Sequence, residues 1–238
     1  MILLDPDARP VIGHRGASGD FPENTIRAFD AALGRGADAL ELDVRATRDG
    51  VVIVLHDPTV DRMTDGSGPV ADLVLAEVRE LDVGGGERIP TFEEVLERYS
   101  DTPLVVEIKE RHVAQSVADL LRRFGAAGRV VVGSFDHASL APFAAPEFAR
   151  SASRRETAIF WLGSRAGLAA RGASYGAFTV PERQGALTVI DRRFVRAARY
   201  RMKPVHVWTV NEVVRARRLR SLGVAGIITN FPGRMRNL

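Results

Sequence analysis

Between Val11 and Asp57 the chain gathers two of its five histidines, His14 and His56, an arginine directly after the first, Arg15, and two acids one residue apart, Glu41 and Asp43. Imidazole titrates near neutrality and can give or take a proton. A guanidinium can hold phosphate oxygens in a bidentate fork. Two carboxylates side by side repel each other and ask for a cation. Polar groups repeatedly close apolar runs here, which is how strands deliver chemistry to one rim of a barrel, and that rim is read as the active site.

Period-two alternation over Ala39 to Val44 sets Glu41 and Asp43 on one strand face and Leu42 and Val44 on the other. An exposed sheet edge would show the same spacing, but the apolar neighbours favour an inward, paired role. Hard oxygen ligands suit Mg²⁺, Ca²⁺ or Mn²⁺ better than zinc. Asp49-Gly50 signals a two-residue hairpin turn, and pairing Arg48 with Val51 then sets Asp43 opposite His56. The run Leu104 to Lys109 repeats the one-face spacing with Glu107 and Lys109, either as part of the site or as a surface ion pair. Lys109 is one of only two lysines in an arginine-rich chain, as expected where a compact ammonium fits and a guanidinium is too wide.

The elements that must carry these groups repeat as an apolar run, a polar end and an amphipathic helix, which argues for a parallel sheet. Strands are expected at Val11 to Gly13, Ala39 to Val44, Leu104 to Lys109, Arg129 to Phe135, Arg150 to Ser153, Gly176 to Pro181, Val205 to Val210 and Gly226 to Asn230. Helices are expected over Phe21 to Gly36, with Asn24 or Thr25 as cap, over Thr91 to Tyr99, from His137 onward, over Arg154 to Arg165 and over Arg192 to Arg201. The fold class is therefore α/β, a (β/α)8 TIM barrel formed by residues 1–238 as one domain. Residues 58–90, rich in Asp, Gly and Thr with a short helix near Leu73 to Leu81, form a small insertion after the His56 strand, on the catalytic rim.

With 45% hydrophobic and 26% charged residues the chain can bury a core. Its pI of about 9.8 reflects arginine content rather than a large excess of charge, the net being +3. Arg192-Arg193 and Arg215 to Arg220 lie at helical spacing on solvated faces, and no basic run interleaves with aromatics, so nucleic acid is not an expected partner. No integral membrane segment is visible, and the first residues lack the basic and apolar stretches of a signal peptide, so a cytoplasmic location is expected. Without cysteine, any metal must be held by Asp, Glu or His.

His14-Arg15-Gly16, Pro22-Glu23-Asn24-Thr25, Glu41-Leu42-Asp43-Val44, Asp49-Gly50 and His56-Asp57 resemble, in order and spacing, the blocks of the glycerophosphodiester phosphodiesterases. Glu107-Ile108-Lys109, Ser134-Phe135-Asp136, Val207 to Asn211 and Thr229 to Pro232 resemble the later blocks, so the likeness runs over about the whole chain. The resemblance implies metal-dependent hydrolysis of small glycerophosphodiesters, the deacylated phospholipids, to sn-glycerol 3-phosphate and an alcohol. It implies His14 and His56 as acid and base, in either order, a divalent cation on Glu41, Asp43 and Glu107, and phosphate neutralisation by Arg15 and Lys109. Trp208 is a wall of the substrate pocket or plain core packing. Where the family has Thr-Asp this chain has Thr229-Asn230. His112, His137 and His206 match no block and are read as structural or surface residues. Related readings are a phosphodiesterase for lysophospholipids, which calls for an apolar rim that the sequence does not reveal, and a non-catalytic barrel that binds phosphorylated metabolites.

Overall fold

A computed structural model describes residues 1–167 and 173–238. In chain order the strands are β1 (Val11–His14), β2 (Ala39–Ala46), β3 (Val52–Val54), β4 (Leu104–Ile108), β5 (Val130–Gly133), β6 (Ala149–Arg150), β7 (Phe178–Pro181), β8 (Arg183–Gln184), β9 (Leu187–Thr188), β10 (Val205–Trp208) and β11 (Gly226–Thr229). Eight of them run parallel in the order β6-β5-β4-β2-β1-β11-β10-β7. The two outer strands meet through a parallel bridge between Ser151 and Ala177, which curls the sheet into the expected TIM barrel. The α-helices are α1 (Ile26–Gly34), α2 (Leu75–Val78), α3 (Phe92–Arg98), α4 (Ala114–Arg123), α5 (Arg154–Arg165), α6 (Arg192–Tyr200) and α7 (Val213–Ser221).

Strand alternation divides the apolar residues into two layers. Ile12, Ala39, Val105, Val131, Ala177 and Ile228 meet inside the barrel, where Leu3 from the N-terminal 3-10 turn plugs the end opposite the site. Leu40, Leu42, Val44 and Val106 point the other way, against Phe29, Phe92 and Leu121 of the helices. Burying one such Leu or Phe side chain contributes about 1.5–3 kcal/mol, so this outer layer carries much of the stability. Capping boxes start α3 at Thr91 with Glu94 and α5 at Ser153 with Glu156.

Three local expectations shift. The first helix begins at Ile26 rather than Phe21, with Thr25 as its cap, because Asn24 at φ 59° lies in the left-handed region and cannot continue a helix. The segment from His137 to Ala144 is a 3-10 stretch rather than an α-helix, and Pro142 within it has no N–H to donate. The hairpin turns through three residues rather than two. Thr47 N–H donates to Val51 O at 3.0 Å, Gly50 at φ 80° takes the left-handed position, and Val51 N–H donates to Thr47 Oγ1 at 3.0 Å. Val44 therefore pairs with Val54, and Asp43 faces Leu55, whose N–H donates to Asp43 O at 3.0 Å. The expected pairing of Asp43 with His56 is displaced by one residue.

Between His56 and Thr91 the chain forms a short 3-10 turn, Val70–Asp72, and α2. Val60, Val70, Val78, Val83 and Ile89 gather on Ile53 and Leu55 in a separate apolar cluster.

His206 is enclosed, with Nε2 2.9 Å from Leu3 O, and a Cβ on Gly226 would lie 2.0 Å from its Nδ1. Burial holds its pKa down at about 4. The unfolded chain takes up this proton near pH 6.5 and the folded chain only near 4, so stability is full above 6.5 and falls as pH drops through that window. The swing is on the order of 3 kcal/mol. Urea unfolding at pH 7 and pH 4 is expected to show a smaller loss in His206→Gln than in the parent protein. Equal losses would contradict a buried neutral imidazole.

Candidate active site

Register brings the site together. Across the first two strands His14 pairs with Glu41, and across β2 and β4 Asp43 pairs with Glu107, so acids and imidazole share the inward face at one end of the barrel. Glu41, Asp43 and Glu107 each offer an oxygen, and these atoms lie within 4.8 Å of one another. Glu41 is 5% exposed and Asp43 1%.

Two cations sit among them. Lys109 Nζ is 2.8 Å from Asp43 Oδ1 and 2.7 Å from Glu107 Oε1. Arg15 Nε is 3.0 Å from Asp43 Oδ2 but misaligned for a hydrogen bond, so this contact is an ion pair only. Arg15 Nη1 donates to Glu23 at 2.9 Å. Asn24 Nδ2 donates to Asp43 Oδ2 at 3.1 Å, which gives its left-handed backbone a purpose. Arg15 is itself at φ 54°, followed by Gly16 at φ 84°, where a Cβ would strike the Ala28 backbone at 2.6 Å. This sharp turn aims the guanidinium back into the barrel.

The three acids respond differently. Burial, then the charges of Asp43 and Glu107, push Glu41 well above the usual carboxylate range. Burial also pushes Asp43 up, but Lys109 and Arg15 together outweigh it and hold Asp43 low. Glu107 is raised, chiefly by burial, against the pull of Lys109. The acids are three against two fixed cations, and their donor atoms are all hard oxygens, so the set fits a divalent ion such as Mg²⁺, Ca²⁺ or Mn²⁺.

The two imidazoles are held by unlike partners. His14 Nδ1 lies 2.6 Å from Asn230 Oδ1, a neutral amide, and its Nε2 is 3.9 Å from Glu41 Oε2. Asn230 is anchored through its N–H, which donates to Asn211 Oδ1 at 2.9 Å. Burial, then the Arg15 charge, lower the His14 pKa to about 4. His56 Nδ1 instead lies 2.6 Å from the carboxylate Asp57 Oδ1. Arg62, bonded to Asp57, and His56 hold that carboxyl down at about 2. Arg62 also donates to Glu23 at 2.7 Å, so the 58–90 segment is tied to the rim.

Both histidines, Arg15, Glu41, Glu107, Lys109 and Trp208 line one cavity of about 750 Å³. Asp43 lies beneath them rather than on the lining. Despite the shifted hairpin, His56 still reaches the cavity. Trp208 is a cavity wall, packed edge-on against Phe135 with ring centroids 5.9 Å apart. His206 is structural, while His112 and His137 are exposed and off the lining. Sequence reasoning assigned no role to Glu23, Asp57 or Asn211, and read Asn24 as a helix cap rather than as a donor to Asp43. The signal was present for all four, in the Pro22 to Thr25 block, the His56-Asp57 pair and the Val207 to Asn211 block.

Comparison with known proteins agrees with this geometry. The signature of the glycerophosphoryl diester phosphodiesterase family matches residues 14–234. A glycerophosphodiester phosphodiesterase of Caldanaerobacter subterraneus is 42% identical over 144 residues, 55% of this chain and 59% of that one. One from Bacillus subtilis is 30% identical over 266 residues, 97% of this chain and 86% of its own. The structure of an Oleispira antarctica phosphodiesterase in complex with the product sn-glycerol-3-phosphate superposes with a TM-score of 0.80 at 26% identity, covering 96% of each chain. The chain therefore belongs to the glycerophosphoryl diester phosphodiesterase family and is a phosphodiester-hydrolysing enzyme.

Proposed function

We propose that the cavity hydrolyses small glycerophosphodiesters to sn-glycerol 3-phosphate and an alcohol, with a divalent cation on Glu41, Asp43 and Glu107 and with His14 and His56 moving protons. Residues 1–238 act as one unit in this reading, with 58–90 as a rim insertion. The observation that carries it is the meeting of three carboxylates, two fixed cations and two imidazoles in one cavity. A phosphodiester is anionic and resists attack, so its site must neutralise charge that moves during in-line displacement. With both cations charged and all three acids ionised, the cluster carries one negative charge, and a divalent ion turns that into one positive charge for the diester anion. When bound, the ion supplies charge neutralisation at the phosphate oxygens. Lys109 and Arg15 add to this as fixed positive charges, and Trp208 walls the substrate in.

The unlike partners support one division of the proton roles. With its Nδ1–H given to the Asn230 amide, His14 is neutral and presents Nε2 as the base for the entering hydroxyl. His56, backed by a carboxylate, is suited to carry a proton and give it to the leaving alkoxide. The entering hydroxyl is either water or the glycerol 2-hydroxyl, and phosphorus NMR tells the two apart by the absence or presence of a cyclic phosphate.

Release of sn-glycerol 3-phosphate from glycerophosphocholine and glycerophosphoethanolamine is expected to stop on treatment with EDTA and return with Mg²⁺, Ca²⁺ or Mn²⁺. Full turnover after chelation would remove the metal from the account. His14→Ala and His56→Ala should each lower kcat by about 10²–10⁴, and near-normal turnover would sink the assigned role. In Asn230→Asp a carboxylate behind His14 favours the imidazolium, so the acid limb of the kcat/KM profile should move to higher pH. An unmoved limb would contradict His14 as base.

A further inference from the structure

Beyond its polar inner end, the cavity continues outward between α5 and the β8–β9 hairpin, and this outer part has no assigned role. Its wall is apolar. Trp208 and Phe135 begin it, Ala158, Trp161 and Leu162 of α5 continue it, and Leu187 of the hairpin closes it. Residues 154, 157, 158, 161 and 162 all face the cavity, so α5 turns a whole helical stripe towards it, while the only side chain it buries fully in the core is Phe160. Trp161 donates its indole N–H to Thr188 O at 3.1 Å, pinning helix to hairpin.

The mouth leaves Phe135 55%, Leu162 63% and Leu187 48% exposed. Single exposed apolar side chains are ordinary, but several large ones gathered on the rim of a cavity mark where an apolar ligand sits. Among the described residues the outer wall carries one charged side chain, Arg154, and no carboxylate. An ammonium headgroup would find no counter-charge there and, on Trp161, a ring already covered by the Arg165 guanidinium 3.2 Å from its centroid, and Leu162 and Leu187 would do nothing for it. A volume of about 750 Å³ falls in the upper part of the range that holds drug-sized ligands, about 300–1,000 Å³.

We infer that the diester this site takes carries an apolar chain, seated along α5 and the β8–β9 hairpin while its phosphate lies at His14, His56 and Lys109. The inference rests on the phosphodiesterase reading and adds the substrate class. The chain could hang from either side of the phosphate, and both placements share the same recognition chemistry.

The test compares kcat/KM for glycerophosphocholine, for methyl, butyl and octyl esters of sn-glycerol 3-phosphate, and for a short-acyl lysophosphatidylcholine, each below its micelle concentration with metal present. In the alkyl series the chain leaves with the alcohol, and in the lysolipid it stays on the glycerol, so the arm that gains identifies the side. The expected gain is about two- to fourfold per methylene, the scale of burying a CH₂. The double variant Leu162→Gln/Leu187→Gln should cut the ratio of long-chain to methyl or headgroup substrate at least about tenfold, with its folding checked by thermal melting. Hydrolysis of glycerophosphocholine with flat or falling chain dependence would overturn the inference and leave the diesterase reading intact. A gain only above the micelle concentration would also overturn it, in favour of binding to a lipid surface. No hydrolysis of any of these diesters by folded, metal-supplied protein would overturn the diesterase reading, and the inference with it.

Discussion

Three carboxylates crowded at the end of a dry barrel are the constraint to which the rest of the site answers. Glu41, Asp43 and Glu107 share an inward face because strands of a parallel sheet align residues in register. Like charges so close and so buried are tolerable only with countercharge at hand. Lys109 and Arg15 supply it to Asp43 and Glu107, and Glu41, left without an equal share, is pushed well above the usual carboxylate range. Removing one partner of such a buried pair typically costs about 3–5 kcal/mol, so the cluster has to sit on a well-packed frame. The Phe29, Phe92 and Phe194 layers against the helices are that frame. Arg15 and Asn24 sit in left-handed conformations, which cost about 1–3 kcal/mol each outside glycine, and hydrogen bonds from Arg15 N–H to Glu41 O at 2.9 Å and from Asn24 N–H to Arg15 O at 3.0 Å hold them there.

The same cluster explains why the histidines differ. An imidazole next to Arg15 and deep in the barrel is easiest to keep neutral, and Asn230 accepts its proton without adding charge. An aspartate at that position would pull the ring towards its charged form, against the guanidinium beside it. His56 lies nearer to solvent at the top of the hairpin, where Asp57 and Arg62 form their own ion pair. In the proposed mechanism, acid and base are thus separated by environment rather than by residue type.

Much of this was legible in the residues themselves. Period-two spacing at Glu41 and Asp43 identified the inward face, and the apolar runs identified the barrel, because both are local properties of a strand. The hairpin register was missed by one residue, since Asp49-Gly50 fits a two-residue turn and the closing bonds of Thr47 decide otherwise. The partnership of His14 with Asn230 joins residues 216 positions apart and depends on β1 lying beside β11. The apolar rim was invisible for a related reason. Leu162 reads as an ordinary helix residue and Leu187 lies outside every expected element, and only the packing of α5 and the β8–β9 hairpin around the cavity leaves them at its mouth.

The central proposal is that the acid cluster binds one divalent cation, and calorimetric titration of metal-free protein with Mg²⁺, Ca²⁺ and Mn²⁺ tests it most directly. One equivalent should bind, and Glu41→Gln with Asp43→Asn should abolish binding. A folded protein that binds none of these ions, or binds them equally well without those carboxylates, would contradict the account.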